Sequence, residues 1–244
     1  MEREEVNMAD DRSSSSRTQR SEDSGSSPIG NAYEGNFSSE KFPFSECLSI
    51  LEHSGKRLYG DHFRIIEEDH EVIFKLLVYF LRDQENADRL GISFRKGILL
   101  TGPIGCGKTS LLNLMRYISA VHTHHIMVPC RKIAFEFNKE GFSVIQKYSD
   151  HSFVTSNQDW TAKIYCFDDL GAETIMKYYG TDCNVMAEIL LSRYDLFISH
   201  GMLTHLTTNL SASEIEEVYG QRVRSRLRET LNLISLHNAP DKRK

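Results

Sequence analysis

Several features that would decide a function quickly are missing from this sequence. Its five cysteines, Cys47, Cys106, Cys130, Cys166 and Cys183, lie far apart, with no C-x-x-C pair and no Cys/His group at zinc-finger spacing. Reduced thiols are therefore expected, and no structural metal. No stretch approaches the ~18 consecutive apolar residues of a membrane helix, and the acidic opening Met1-Glu2-Arg3-Glu4-Glu5 has no apolar run behind it to act as a secretory signal. A cytoplasmic chain with no membrane contact is expected. An excess of positive charge is absent as well, the formal net charge being −5. That removes a global signal for nucleic acid but leaves room for a local basic patch, because phosphate contacts depend on where Lys and Arg sit.

What is present is ordinary for a globular protein: 244 residues, 40% hydrophobic and 26% charged, enough to bury a substantial core in one domain with short appendages. Residues 1–40 are rich in Ser and acidic side chains, with Ser13 to Ser16 consecutive. Such a segment buries too little to offset its ordering entropy and is expected to be disordered, either as a solubilising extension or as a tail that docks on a partner. Across 41–62 a short helix is expected with Phe44, Cys47, Leu48 and Leu51 on one face, followed by loops at Ser54-Gly55 and Tyr59-Gly60. It would pack on the body or meet a partner. A stronger helix is expected over 69–83, where Val72, Ile73, Leu76, Leu77, Phe80 and Leu81 recur at three and four residues. His122-Thr123-His124-His125 is read as a solvated turn, with metal ligation as the alternative. The basic segment 238–244 is expected to be a frayed tail.

From Lys96 onward short apolar runs alternate with helical patterns, which predicts βαβ units and a parallel sheet with strands at 97–101, 126–130, 164–167, 202–208 and 231–236. Directly after the first strand stands Gly102-Pro103-Ile104-Gly105-Cys106-Gly107-Lys108-Thr109, a full match to G-x-x-x-x-G-K-[ST], running through Ser110 into a helix. The glycines allow backbone N–H groups to turn inward around a phosphate, and the helix N-terminus adds partial positive charge. Lys108 is expected to neutralise the β- and γ-phosphates, and the Thr109 hydroxyl to ligate Mg²⁺. The expected ligand is ATP with magnesium. No N/T-K-x-D run of the guanine-reading kind is present.

The strand Ile164-Tyr165-Cys166-Phe167 delivers Asp168 and Asp169 at its C-terminal end, where α/β sheets hold ligands. This is a Walker B pattern. Asp168 would hold magnesium through a water and Asp169 would orient or deprotonate the attacking water. An Asp-Glu pair is commoner there, so the shorter Asp169 predicts slow hydrolysis. A later strand ends in Thr207-Thr208-Asn209-Leu210, where Asn209 is either a simple turn residue or an amide directed at the γ-phosphate or lytic water. Ser211-Ala212-Ser213-Glu214 is a capping-box start, and the helix it opens carries Arg222, Arg224, Arg226 and Arg228 beside the apolar pair Val223/Leu227. Those arginines read equally as a solvated face or as the source of an arginine finger for a neighbouring subunit's ATP.

Together these residues resemble the AAA+ ATPases of the DnaC/DnaI helicase-loader and IstB transposition-helper group. The resemblance covers roughly Phe63 to Leu236 and rests on Asp168-Asp169-Leu170-Gly171-Ala172-Glu173, Thr207-Thr208-Asn209-Leu210 and the Arg222/Arg226 pair. It implies an α/β P-loop NTPase domain of AAA+ type over 63–237, with a five-stranded parallel sheet sandwiched by helices. About fifteen residues follow the arginine box, too few for a C-terminal helical lid. It also implies that Asn209 is sensor 1, that Arg226 acts in trans with Arg222 in support, and that the chain self-associates through the ATP site. The implied partners are a replicative helicase or a transposase, and single-stranded DNA. Residues 131–148 fall where that group has a DNA-contacting helix, and Lys132, Lys139, Lys147, Phe135, Phe137, Phe142 and Tyr148 would suit phosphate contact and base stacking, or core packing. The helicase-binding or zinc-binding N-terminal features of the group have no counterpart here. A replication accessory ATPase is the leading function, with a transposition helper, a nucleotide-gated scaffold and a small-molecule kinase as alternatives.

Overall fold

A computed structural model of the chain describes residues 42–156, 159–178, 181–236 and 240–242. The segment 1–40, with its expected disorder, lies outside the described residues, as do Arg243 and Lys244. In chain order the strands are β1 (Gly97–Thr101), β2 (Ile126–Pro129), β3 (Phe153–Ser156), β4 (Asp159–Ala162), β5 (Tyr165–Leu170), β6 (Met176–Tyr178), β7 (Thr181–Cys183), β8 (Thr204–Thr208) and β9 (Leu231–Ser235). The helices are α1 (Phe44–Tyr59), α2 (His70–Phe80), α3 (Gln84–Leu90), α4 (Lys108–Met115), α5 (Cys130–Glu140), α6 (Ser143–Tyr148), α7 (Val185–His200) and α8 (Ala212–Thr230).

Five strands pair in parallel in the order β2-β5-β8-β1-β9. They are the five that the apolar runs predict. Side chains alternate across the sheet with a period of two: Ile98, Leu100 and Cys166 join Leu51, Ile73, Leu76, Leu77, Leu111 and Leu112 in one layer, while Leu99, Phe167 and Leu206 join Ile133, Phe137, Ile189, Val223 and Leu227 in the other. Each fully buried aliphatic side chain contributes about 1.5–3 kcal/mol of hydrophobic stabilisation. Among the described residues no helix follows β9, and no helix is long and apolar enough to cross a membrane.

Three local expectations need correction. The helix α1 runs straight through Ser54 and Gly55, both buried. A Cβ at Gly55 would meet the Phe63 ring at 2.3 Å, so the glycine permits close packing and does not break the helix. His125 is not in a solvated turn: it is 1% exposed, edge-on to His205 at 5.2 Å between ring centres, and neither ring nitrogen has a hydrogen-bond partner, the nearby Leu112 backbone falling short of bonding geometry. Burial, then Arg116 and His124, pull its pKa down to about 3. Among the described residues no group of three possible metal ligands forms. Lys242 is not frayed, as the cleft described below makes plain. Two short antiparallel hairpins, β3/β4 and β6/β7, were not expected at all.

Capping follows the sequence closely. Asn184 accepts from the Ala187 N–H at the start of α7, Gly201 closes it in left-handed conformation, and Ser211 and Glu214 form the capping box of α8. Inside α8, Gly220 has φ 85° and ψ 159°, which kinks the helix into two halves.

Candidate functional site

The sheet order sets the site. Between β1 and β5 lies β8, so the ends of three strands, carrying the glycine loop, the aspartate pair and Thr207-Thr208-Asn209, meet at one crevice. The loop leaves β1 at Thr101 and enters α4 at Lys108. Gly105 (φ 83°) and Gly107 (φ 95°) take left-handed conformations that side chains disfavour. Lys108, 7% exposed, folds its ammonium into the loop and donates to the Gly102 and Pro103 carbonyls at 2.8 and 2.9 Å. Cys106 is buried beneath it.

Across the crevice, Asp168 Oδ1 accepts from the Thr109 hydroxyl at 2.8 Å and from the Thr207 hydroxyl at 2.7 Å. Thr207 Oγ1 in turn accepts the Asp169 N–H at 2.7 Å. The β5/β8 register shifts between Phe167 and Leu170, so the two aspartates occupy a bulge, a device that redirects side chains at strand ends. Asp169 has φ 59°, an unfavourable conformation for a non-glycine residue. The turn that follows is closed by Ala172 N–H donating to the Asp169 carbonyl at 3.0 Å and Gly171 N–H donating to Glu173 Oε2 at 3.0 Å. The Tyr219 hydroxyl, on α8, donates to the other Glu173 oxygen. Burial, followed by the Glu173 carboxylate, raises the Tyr219 phenol. Burial, then Glu173 and Asp168, holds the Cys130 thiol well above its ordinary range. Cys130 is therefore a protonated core residue and no nucleophile.

The loop and the turn after β5 border a cleft of about 890 Å³, the size of a site for a nucleotide. Gly105, Gly107, Lys108, Thr109 and Ser110 form its floor, and Asp169, Gly171 and Asn209 one side. Of the residues singled out in the sequence, Ile104 also lines it, whereas Gly102, Pro103 and Cys106 shape the loop from behind. Asp168 reaches the floor through Thr109. Two adjacent hard oxygens, from Thr109 and Asp168, suit Mg²⁺, which takes oxygen donors and keeps several waters.

Two walls had not been expected. One is the end of α1 and the linker after it, with Tyr59, His62, Phe63, Arg64 and Ile66; its signal is the aromatic and basic run between α1 and α2. The other is Pro240, Asp241 and Lys242. The Lys242 N–H donates to the Gly105 carbonyl at 3.1 Å, and its ammonium pairs with the fully buried Asp69 at 2.5 Å, so this segment is pinned over the loop.

Arg226 is not in this cleft. It stacks on the Tyr194 ring at 4.1 Å, donates to the Tyr194 hydroxyl at 2.8 Å and pairs with Glu229 at 3.4 Å. Arg222 is exposed. The segment 131–148 forms two helices parted at Gly141. Its aromatic residues divide by helical phase: Phe137 and Tyr148 belong to the core, and Phe135 and Phe142 are 54% exposed beside exposed Arg131, Lys132 and Lys139.

No family model matches the chain, and no curated protein matches it. Among solved structures it is similar to the DnaC helicase loader, at 15% identity and TM-score 0.49, over 74% of this chain and 98% of that one. It is similar to DnaI at 21% identity and TM-score 0.42, over 66% of this chain and 93% of that one. AMPPCP-bound DnaA from Aquifex aeolicus is 18% identical with TM-score 0.42, over 71% of this chain and 48% of that one. Each is a chain to which this one is similar in arrangement.

Proposed function

We propose that the chain is a Mg²⁺-dependent, ATP-hydrolysing accessory of DNA replication, of the DnaC/DnaI helicase-loader type. The observation that carries the reading is the meeting of Lys108, Thr109, Asp168, Asp169 and Asn209 at one crevice, with Thr109 and Asp168 in direct contact. Lys108, folded against loop carbonyls, exchanges those partners for phosphate oxygens when nucleotide enters. Thr109 and Asp168 would hold a magnesium ion, which would supply charge neutralisation to the bound phosphates. Asp169 orients or deprotonates the attacking water, and Asn209 donates to that water or to the γ-phosphate. The short reach of Asp169 makes turnover slow.

Arg226 works in trans. Its partners within the chain, a tyrosine and a half-exposed Glu229, are weak enough to exchange for a neighbour's phosphate. Assembly would thus be gated by nucleotide. The exposed Arg131, Lys132, Phe135, Lys139 and Phe142 offer charge and stacking surfaces to single-stranded DNA, and a replicative helicase is the protein partner.

ATP turnover by the purified chain, with and without single-stranded DNA, tests the reading. Lys108→Ala removes the charge that would face the phosphates and is expected to weaken both binding and turnover by roughly 100-fold. Arg226→Ala is expected to bind nucleotide within about twofold of the parent and to lose turnover by about 10³-fold, the scale of an arginine finger. DNA should stimulate the parent. Unchanged turnover in Arg226→Ala together with no response to DNA would remove the shared site.

A further inference from the structure

The turn after β5 and the arginine-bearing helix α8 are joined by one carboxylate. Glu173 uses one oxygen to hold the Gly171 N–H, within the turn that fixes Asp169, and the other to accept the Tyr219 hydroxyl. Glu173 and Tyr219 are 46 positions apart in sequence. Tyr219 is 7% exposed, so water is a poor substitute partner for its hydroxyl. The residue after it is Gly220, where α8 kinks. Beyond the kink lie Arg222 and Arg226, on a half-helix anchored in the core by Val223 and Leu227. Gly220, with φ 85° and ψ 159°, breaks the helical backbone at this point, so the two halves of α8 are joined by a residue free of the usual side-chain limits on φ and ψ.

Asp169 is held in its left-handed conformation from both sides, by Thr207 at its N–H and by Ala172 at its carbonyl. Gly171 and Ala172 line the cleft. A ligand that shifts this turn must therefore pull on Glu173, and through Glu173 on Tyr219. Coupling of this sort is reciprocal: whatever moves the arginine half of α8 must bias the turn equally.

We infer that Glu173 is a positioning residue whose bridge to Tyr219 transmits the state of the nucleotide cleft, across the Gly220 hinge, to the half of α8 that carries Arg222 and Arg226. The inference rests on the nucleotide reading of the cleft but not on any role of Arg226 in trans. It assigns a use to the last residue of the Asp168–Glu173 run, and it makes the orientation of the arginines depend on occupancy of the chain's own site.

Amide hydrogen exchange over 221–230 tests this, on the full chain kept dilute enough to be monomeric, with and without Mg²⁺ and a non-hydrolysable ATP analogue. In the parent, nucleotide should change exchange in that half-helix by about fivefold or more, the lower range of coupling between sites. Tyr219→Phe keeps the buried ring but loses the bridge. It should bind the analogue within about twofold of the parent while its exchange response shrinks below about twofold. Glu173→Gln keeps the side-chain shape with a single acceptor oxygen for two donors, and should lose most of the response too; it serves if the phenylalanine variant folds poorly. A full response in either folded variant overturns the inference, as does a parent that binds nucleotide with no response. A parent that does not bind nucleotide removes the reading of the cleft, and this inference with it. A concentration-independent turnover would count against Arg226 in trans alone.

Discussion

The two ends of β5 and β8 make opposite use of buried charge. Where the strands begin, Arg193 is 2% exposed and donates to Thr204 Oγ1 and to the carbonyls of Tyr148, Lys163 and Leu203 at 2.7–3.1 Å. The rings of Tyr165 and Phe167 lie 5.3 and 5.6 Å from its guanidinium. Burial pulls its pKa down to about 9. Where the same strands end, Asp168 has two hydroxyls on one oxygen, and Asp169 sits in an unfavourable backbone conformation facing an open cleft. One end is finished by its own chain. The other opens its polar groups to the cleft.

The contrast is broken most severely at Arg193. Arg193→Met, similar in length but without donors, strands several buried acceptors at once and should cost about 3–5 kcal/mol of folding stability, with nucleotide affinity little changed in whatever fraction remains folded. Denaturant midpoints read the first and a nucleotide titration the second. Asp168→Asn should behave in reverse: stability within about 1 kcal/mol of the parent, and Mg²⁺-dependent nucleotide binding weaker by roughly 10- to 100-fold, as for other groups that hold a metal through water. Equal losses in both measurements for either variant would erase the distinction between the two ends.

Acid probes the same frame from within. His125 and His205 are buried with pKa values pulled below the ordinary 6.5, so the folded chain keeps them neutral while the unfolded chain protonates them as pH falls through about 6.5. Stability is full above that value and declines toward about 3, the His125 pKa, by about 1.4 kcal/mol per pH unit for each histidine. His125 faces Phe80 and His205, with Arg116 and His124 near, and His205 is crossed by Tyr79 and Phe80 and accepts the Ile98 N–H. His125→Leu should flatten the acid limb of a urea-midpoint profile, and an unchanged slope would place the acid sensitivity elsewhere. The smallest effect on stability is expected at Asp169→Gly, which relieves the left-handed strain and should raise stability by up to about 1 kcal/mol while turnover is lost.

Much of this is legible in the sequence. The inner strands β1 and β5 stand out as apolar runs because both their faces are buried, β8 is marked only by Met202, Leu203 and Leu206 beside buried Thr207 and Thr208, and the glycine loop and Asp168-Asp169 sit at strand ends where α/β chemistry gathers. Asn209 reached the cleft because β8 lies between the other two functional strands. The hairpins are not legible because strands of three and four residues of mixed composition are too short to show a periodicity. Gly55 misled because a glycine needed for close approach reads, in isolation, as a breaker. The Glu173–Tyr219 bond and the Lys242–Asp69 pair were invisible for another reason: local patterns do not say which distant side chains meet.

Lys242 reaches Asp69 across 173 positions of sequence, and β9 completes the sheet against β1, which was made some 130 residues earlier (Gly97 pairs with Leu231). During synthesis, then, the glycine loop exists long before the last wall of its cleft. Contacts of such long range form late, after the loop-closure entropy between them has been met. On the proposed function, competence to hold nucleotide would mature as one of the final events of folding, and a nascent chain carrying the whole glycine loop would still lack the wall that closes over its ligand.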